Sequence, residues 1–250
     1  MKKIIWIASY PKSGNTWMRY LLGNYFFNNN NKFNPDIISY LKKFHLEDKL
    51  LKQYKINEDF KKNPFNVSKY WIKSQEDLKI LNGNIVFLKT HNALLNINKN
   101  EFTNEDLSLA IIYIVRDPRD VIISYSKFRN LNLDKTIDNM ITQKLTYVQN
   151  KNDSTEIEIM GSWGFHYNSW KNGIPKIPRI IVKYEDLIDD CFNNFSKVIE
   201  FLSKHMKFKI NNHKIRSSIE LSKFENLKKY EELYSFKENQ GTEKFFRTGM

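Results

Sequence analysis

A single cysteine, Cys191, stands in a chain of 250 residues. One thiol cannot build an intrachain disulfide framework, and it excludes a cysteine-rich zinc site as well. Long apolar runs are missing too. The longest, Leu109 to Val115, and a shorter one from Ile4 to Ala8 fall far below the ~20 residues a membrane-spanning helix needs. The N-terminus carries two lysines and an apolar stretch with no small-residue cleavage site after it, so it does not read as a secretory signal. The expected compartment is the cytoplasm, with no membrane partner. No glycine-proline linker and no internal repeat divides the chain, and no carboxylate cluster has metal-ligand spacing. One domain over residues 1–250, and no metal, are expected.

Arginine is scarce as well: seven of 40 cations, the other 33 being lysine, with asparagine at 30. Against 28 acidic residues this leaves a net charge of +12. The excess favours an anionic ligand. The lysines are scattered, however, rather than clustered with aromatics as a nucleic-acid surface requires. A nucleic-acid-binding protein is therefore the weaker alternative. A hydrophobic content of 41% with 14% aromatics excludes a disordered chain.

Short β-branched runs at Lys2–Ser9, Ile85–Thr90, Leu109–Val115 and Pro178–Tyr184 read as buried strands. Helices are expected over Asn15–Phe27, Asp117–Phe128, Leu131–Asn150, Gly161–Asn172 and Glu185–His205, the last with Phe195, Val198, Ile199 and Leu202 on one face. Residues 28–82 show weak periodicity and suit short helices and loops. Strands alternating with helices predict an α/β fold around a parallel sheet.

The join between first strand and first helix carries the most chemistry. Tyr10 to Trp17 reads Y-P-K-S-G-N-T-W. A helix N-terminus at a strand's carboxyl end offers free backbone N–H groups to an anion. Gly14 lets the backbone approach a ligand, Lys12 adds a cation, and Ser13 and Thr16 add hydroxyls. The plain reading is a helix capped by Ser13 or Asn15, which leaves Lys12 and Gly14 together unexplained. A Walker A loop is excluded because the lysine precedes the glycine, which weakens a nucleotide-kinase reading. Further along stand F-L-K-T-H at Phe87–His91, I-V-R-D-P-R-D-V-I-I-S-Y at Ile114–Tyr125, V-K-Y-E-D-L at Val182–Leu187, S-K-F-E-N-L at Ser222–Leu227 and F-F-R-T-G at Phe245–Gly249.

In order and spacing these segments resemble the sulfotransferases that use 3′-phosphoadenosine 5′-phosphosulfate, whose phosphosulfate loop reads Y-P-K-S-G-T-T-W. Asn15 replaces one threonine. The resemblance implies a P-loop-NTPase-like fold, a central parallel sheet flanked by helices, and transfer of a sulfuryl group to a hydroxyl or amine of a small-molecule acceptor. It implies that Lys12, Ser13, Gly14, Asn15, Thr16 and Trp17 hold the donor's phosphosulfate side, with Trp17 stacking on adenine. Arg116 and Ser124 become ligands of the 3′-phosphate, Tyr184 approaches the adenine, and Arg247 and Gly249 close over the phosphate. His91 becomes the general base, Lys12 the cation on the bridging oxygen, and Ser124 a residue that holds Lys12 back until an acceptor is present. For Arg116 the plain alternative is a salt bridge to Asp117 or Asp120. His45, His166, His205 and His213 read as ordinary histidines, His166 as packing. Phe33, Phe44, Phe60, Phe65, Tyr70 and Trp71 suggest an apolar acceptor pocket or lid, or else core aromatics. The family pattern continues past the last glycine with a G-x-W segment, whereas this chain stops at Met250. That leads to the expectation of a shortened form ending inside its final cofactor loop, and of a monomer.

Overall fold

The computed structural model describes residues 3–44, 60, 62–78, 85–143, 146–151, 154–234, 236, 238 and 244–246. Nine strands lie among them: β1 Lys3–Ser9, β2 Lys42–Lys43, β3 Ile85–Thr90, β4 Asn96–Ile97, β5 Asn100–Glu101, β6 Ser108–Val115, β7 Thr146–Lys151, β8 Ser154–Ile159 and β9 Arg179–Lys183. The helices are α1 Asn15–Phe27, α2 Trp71–Glu76, α3 Pro118–Arg129, α4 Leu133–Ile141, α5 Trp163–Asn172, α6 Tyr184–Asp189, α7 Cys191–Met206, α8 Asn212–Leu221 and α9 Phe224–Tyr234. Short 3₁₀ turns occupy Pro35–Tyr40 and Pro64–Tyr70.

The central sheet has the order β2-β3-β1-β6-β9. β1 and β3 pair in parallel, with Ile4 opposite Val86 and Ala8 opposite Thr90. Such strands are apolar on both faces because helices cover both. In β1 every residue after Lys3 is buried. This is the α/β architecture expected from the strand-helix alternation.

The chain divides into two compact units: residues 1–10, 43–113 and 138–179, and residues 11–42, 114–137 and 180–250. The first has an aromatic centre in which Trp6 meets Phe44, Phe102 and Trp170 at ring-centroid distances of 5.4, 5.0 and 6.5 Å. Trp71 lies on Phe102 at 5.2 Å, and Phe60 is buried. Phe44, Phe60 and Trp71 are thus core residues and not a pocket lining. The second unit has its own core of Tyr20, Ile37, Ile38, Leu227, Phe236 and Phe246. Buried Arg19 is satisfied there by Glu238 at 2.8 Å and by the carbonyls of Leu41 and Ile38, each at 3.1 Å.

Three local expectations are corrected. The helix over Leu131–Asn150 stops at Ile141, and residues 146–151 form the antiparallel hairpin β7–β8, with Val148 opposite Ile157. Thr146, Tyr147 and Val148 are strand formers, and pairing with a partner strand overrides a weak helical pattern. The helix over Glu185–His205 is two helices. Asp190 adopts an extended φ of −145° and its carboxylate accepts from the Asn193 N–H at 3.1 Å, an N-cap that starts α7. Third, α1 is capped neither by Ser13 nor by Asn15. Its N-cap is Gly14, with no side-chain hydrogen bond.

Candidate active site

The uncapped start of α1, in the second unit, gathers most of the residues expected to hold a nucleotide. Between β1 and α1 the backbone passes through the left-handed region twice, at Lys12 (φ 66°) and Gly14 (φ 98°). A left-handed lysine costs about 1–3 kcal/mol, and such strain persists where the surroundings over-determine it. Left-handed residues within a turn are the conformations from which anion-binding nests of backbone N–H groups are built. Ser13 is fully buried, and its Oγ has no hydrogen-bond partner among the described residues. A buried hydroxyl left without a partner incurs its full desolvation cost, which a ligand atom at this loop would offset. Gly14 is required twice over: φ 98° is strained for any residue with a Cβ, and a Cβ there would overlap the Tyr184 ring.

Arg116 follows the end of β6. Its guanidinium carbon lies 4.5 Å from the centre of the Tyr184 ring, its Nη1 donates to the Lys12 carbonyl at 3.4 Å, and its buried Nε has no partner among the described residues. The salt bridge considered for it goes elsewhere: Asp117 pairs with Arg119 at 2.6 Å and caps α3 through the Arg119 N–H. Tyr184, the first residue of α6, thus touches both the loop and Arg116, and burial pushes its phenol pKa up. Trp17 meets Tyr184 edge-on at 5.9 Å and donates Nε1 to the Ser222 carbonyl at 3.1 Å. Ser124 is half-buried on α3. Asn15 and Thr16 lie buried in the first turn of α1.

The Lys12 ammonium sits over two rings, 3.8 Å from the centre of Phe245 and 4.6 Å from that of Phe128. The Phe245 segment is held by Glu231 on α9, whose two carboxylate oxygens accept the N–H groups of Phe245 and Phe246 at 2.6 and 2.8 Å. Glu231 does not stand out in the sequence, because its partners are backbone groups and leave no motif. Arg247 and Gly249, expected to close this region, lie outside the described residues, as does His45.

The expected base lies in the first unit. His91 follows β3, partly exposed, and its Nδ1 lies 2.7 Å from the Ser9 carbonyl. A carbonyl only accepts, so Nδ1 carries the proton and Nε2 presents a lone pair. Burial pushes the His91 pKa well below 6.5, helped by the positive charge of Lys89 and then Lys43, and opposed by the bond to Ser9. A neutral imidazole with Nε2 open can take a proton. His166, read from sequence as packing, is fully buried and bonded at both nitrogens: Nδ1 lies 2.9 Å from the Tyr113 hydroxyl and Nε2 lies 3.1 Å from the His91 carbonyl. Among the described residues there is no cluster of His, Cys, Asp and Glu able to hold a metal, and no helix is long and apolar enough to cross a membrane.

A family model described as the sulfotransferase domain matches residues 2–250. An amine sulfotransferase from Oryctolagus cuniculus is 22% identical over 90% of this chain and 62% of its own length. A luciferin sulfotransferase from Photinus pyralis is 27% identical over 89% of this chain and 56% of its own. The chain therefore spans about three-fifths of the length of these curated relatives. Among solved structures, a retinol dehydratase in complex with retinol and PAP superposes with a TM-score of 0.63 at 19% identity, covering all of this chain and 75% of that one. The fold is that of the sulfotransferases, with their P-loop-like strand-loop-helix.

Proposed function

The chain belongs to the sulfotransferase domain family, and we propose from that premise that it moves the sulfuryl group of 3′-phosphoadenosine 5′-phosphosulfate to a hydroxyl or amine of a small acceptor. The observation that carries this reading is the loop at 11–16. It combines an uncapped helix start, two left-handed residues and a buried Ser13 hydroxyl with no partner. The donor supplies an activated sulfuryl group and a good leaving nucleotide; the protein supplies positioning and charge.

In this reading Ser13, Gly14, Asn15 and Thr16 bind the donor's 5′ side through hydroxyl and backbone donors. Arg116 grips the 3′-phosphate with its planar fork, and its buried Nε is a donor still to be used. Ser124 and Arg247 complete that contact and Gly249 closes over it, while Trp17 and Tyr184 flank the adenine. Lys12 offsets charge on the departing oxygen. His91, neutral at physiological pH, takes the acceptor's proton at Nε2. In this reading residues 1–250 act as one domain, which the family match over residues 2–250 supports, and we assign that domain to the cytoplasm as a monomer. The relatives named for an amine and for luciferin support both acceptor classes. A nucleotide kinase would need a lysine after the loop glycine, and Asn15 stands there.

Calorimetry with 3′,5′-ADP against 5′-AMP tests the assignment. Losing a charge-assisted phosphate contact costs about 1.5–3 kcal/mol, roughly ten- to hundredfold in affinity. Equal affinities would overturn the roles of Arg116 and Ser124.

A further inference from the structure

Beyond the end of β3 the chain leaves the sheet, and its carbonyls lose their ladder partners. Two ring N–H groups replace them. His166 Nε2 lies 3.1 Å from the His91 carbonyl, and Trp170 Nε1 donates to the next carbonyl, that of Asn92, at 2.9 Å. His166 and Trp170 are four residues apart on α5, so they lie on one face of the helix, one turn from each other. Both are fully buried. The Asn92 side chain is bound as well, accepting from the Ile159 N–H at 2.8 Å and donating to the Thr90 hydroxyl at 3.2 Å. The His91 ring is then fixed through Nδ1 on Ser9.

We propose that His166 is a positioning residue for the reaction: a neutral, Nε2-protonated imidazole that holds the His91 carbonyl, so that the His91 ring keeps Nδ1 on Ser9 and Nε2 toward an acceptor. The tautomer of His166 follows from its partners. A carbonyl at Nε2 requires a proton there, so Nδ1 accepts from the Tyr113 hydroxyl at 2.9 Å. Burial keeps His166 neutral, with its pKa lowered to about 4, against the opposing bond to His91 and the charge of Glu158. Charged His166 would place a cation beside a base already facing Lys89 and Lys43. The Tyr10 ring packs edge-on against His166 at 5.5 Å.

The role assigned to His91 rests on the reading above, so the test needs a readout independent of turnover. Ring-nitrogen NMR of ¹⁵N-histidine protein gives the His91 tautomer directly. His166→Phe keeps ring bulk and removes both hydrogen bonds. His166→Gln keeps an amide donor in reach of the His91 carbonyl. The expected result is that His91 in the wild type and in His166→Gln is protonated at Nδ1, whereas His166→Phe shows a mixture of tautomers. With 4-nitrophenol as acceptor, kcat falls by about ten- to hundredfold in His166→Phe, as a small misplacement of a base does. The affinity for 3′,5′-ADP stays within about twofold of the wild type, since no nucleotide contact has changed. If His166→Phe unfolds the chain, Tyr113→Phe, which deletes one hydroxyl, is expected to show the same change in His91 to a smaller degree. An unchanged Nδ1 tautomer in the Phe variants, or loss of it in His166→Gln to the same extent, overturns the proposal. Failure of the wild type to bind 3′,5′-ADP counts instead against the enzyme reading, because the tautomer still reports on the clamp.

Discussion

His91 has one ring nitrogen committed to Ser9 and no hydrogen-bond partner at the other among the described residues, and its pKa is pushed below 6.5 chiefly by burial. A base must be unprotonated to work, so activity is lost as pH falls through that pKa. The acid limb of kcat/KM is expected below pH 6.5, read from initial rates with a phenol acceptor. His91→Ala is expected to lower kcat by roughly 10²–10⁴-fold while leaving 3′,5′-ADP binding nearly intact. A variant that kept most of its activity would make His91 a structural residue. Lys12, Gly14 and His91 stand out in the sequence because they lie at a turn and a strand end, which are local features, in segments that resemble the family's. His166 and Glu231 are not, since their partners lie 75 and 14–15 positions away in the chain.

At the level of elements, α1 and β3 have the bounds that composition predicts, while the helix starts needed the structure. Gly14 caps α1 without a side-chain hydrogen bond. Asp190 does the opposite on the surface and closes the start of α7. Removing a side-chain N-cap costs about 1 kcal/mol. Asp190→Ala is therefore expected to lower Tm by about 2–4 °C for a chain of this size, with nucleotide affinity unchanged. An unchanged melting temperature would mean that the break between α6 and α7 is set by packing alone. The β7–β8 hairpin is not legible in the sequence, because strand pairing depends on register with a partner, which the one-dimensional pattern of residues 131–150 does not contain.

For the whole molecule, the buried His166 is expected to set a pH dependence of stability. The native chain keeps His166 neutral down to about pH 4, whereas the unfolded chain protonates it near 6.5. The unfolded state thus binds more protons between those values, and stability falls as pH drops from 6.5 toward 4. His166 alone accounts for about 3 kcal/mol over that window, and the depressed His91 acts in the same direction. Titrating carboxylates and a net charge already at +12 add to acid instability by self-repulsion. Denaturant melts at pH 7.5 and 4.5 are expected to show a smaller loss in His166→Gln than in the wild type. Equal losses would mean that His166 is not held neutral in the native chain.

The sequence by itself determined the α/β alternation and the strand-loop-helix at residues 3–27, because these rest on short-range spacing, and its motifs in their order carried the resemblance to the family. Only the tertiary structure decided that Ser13 caps nothing, that Arg116 lies on Tyr184 rather than on Asp117, and that His166 meets the His91 carbonyl. Each of these depends on which of several competent partners a buried polar group meets. Burial makes that choice, since water no longer competes and an unmet donor or acceptor is costly.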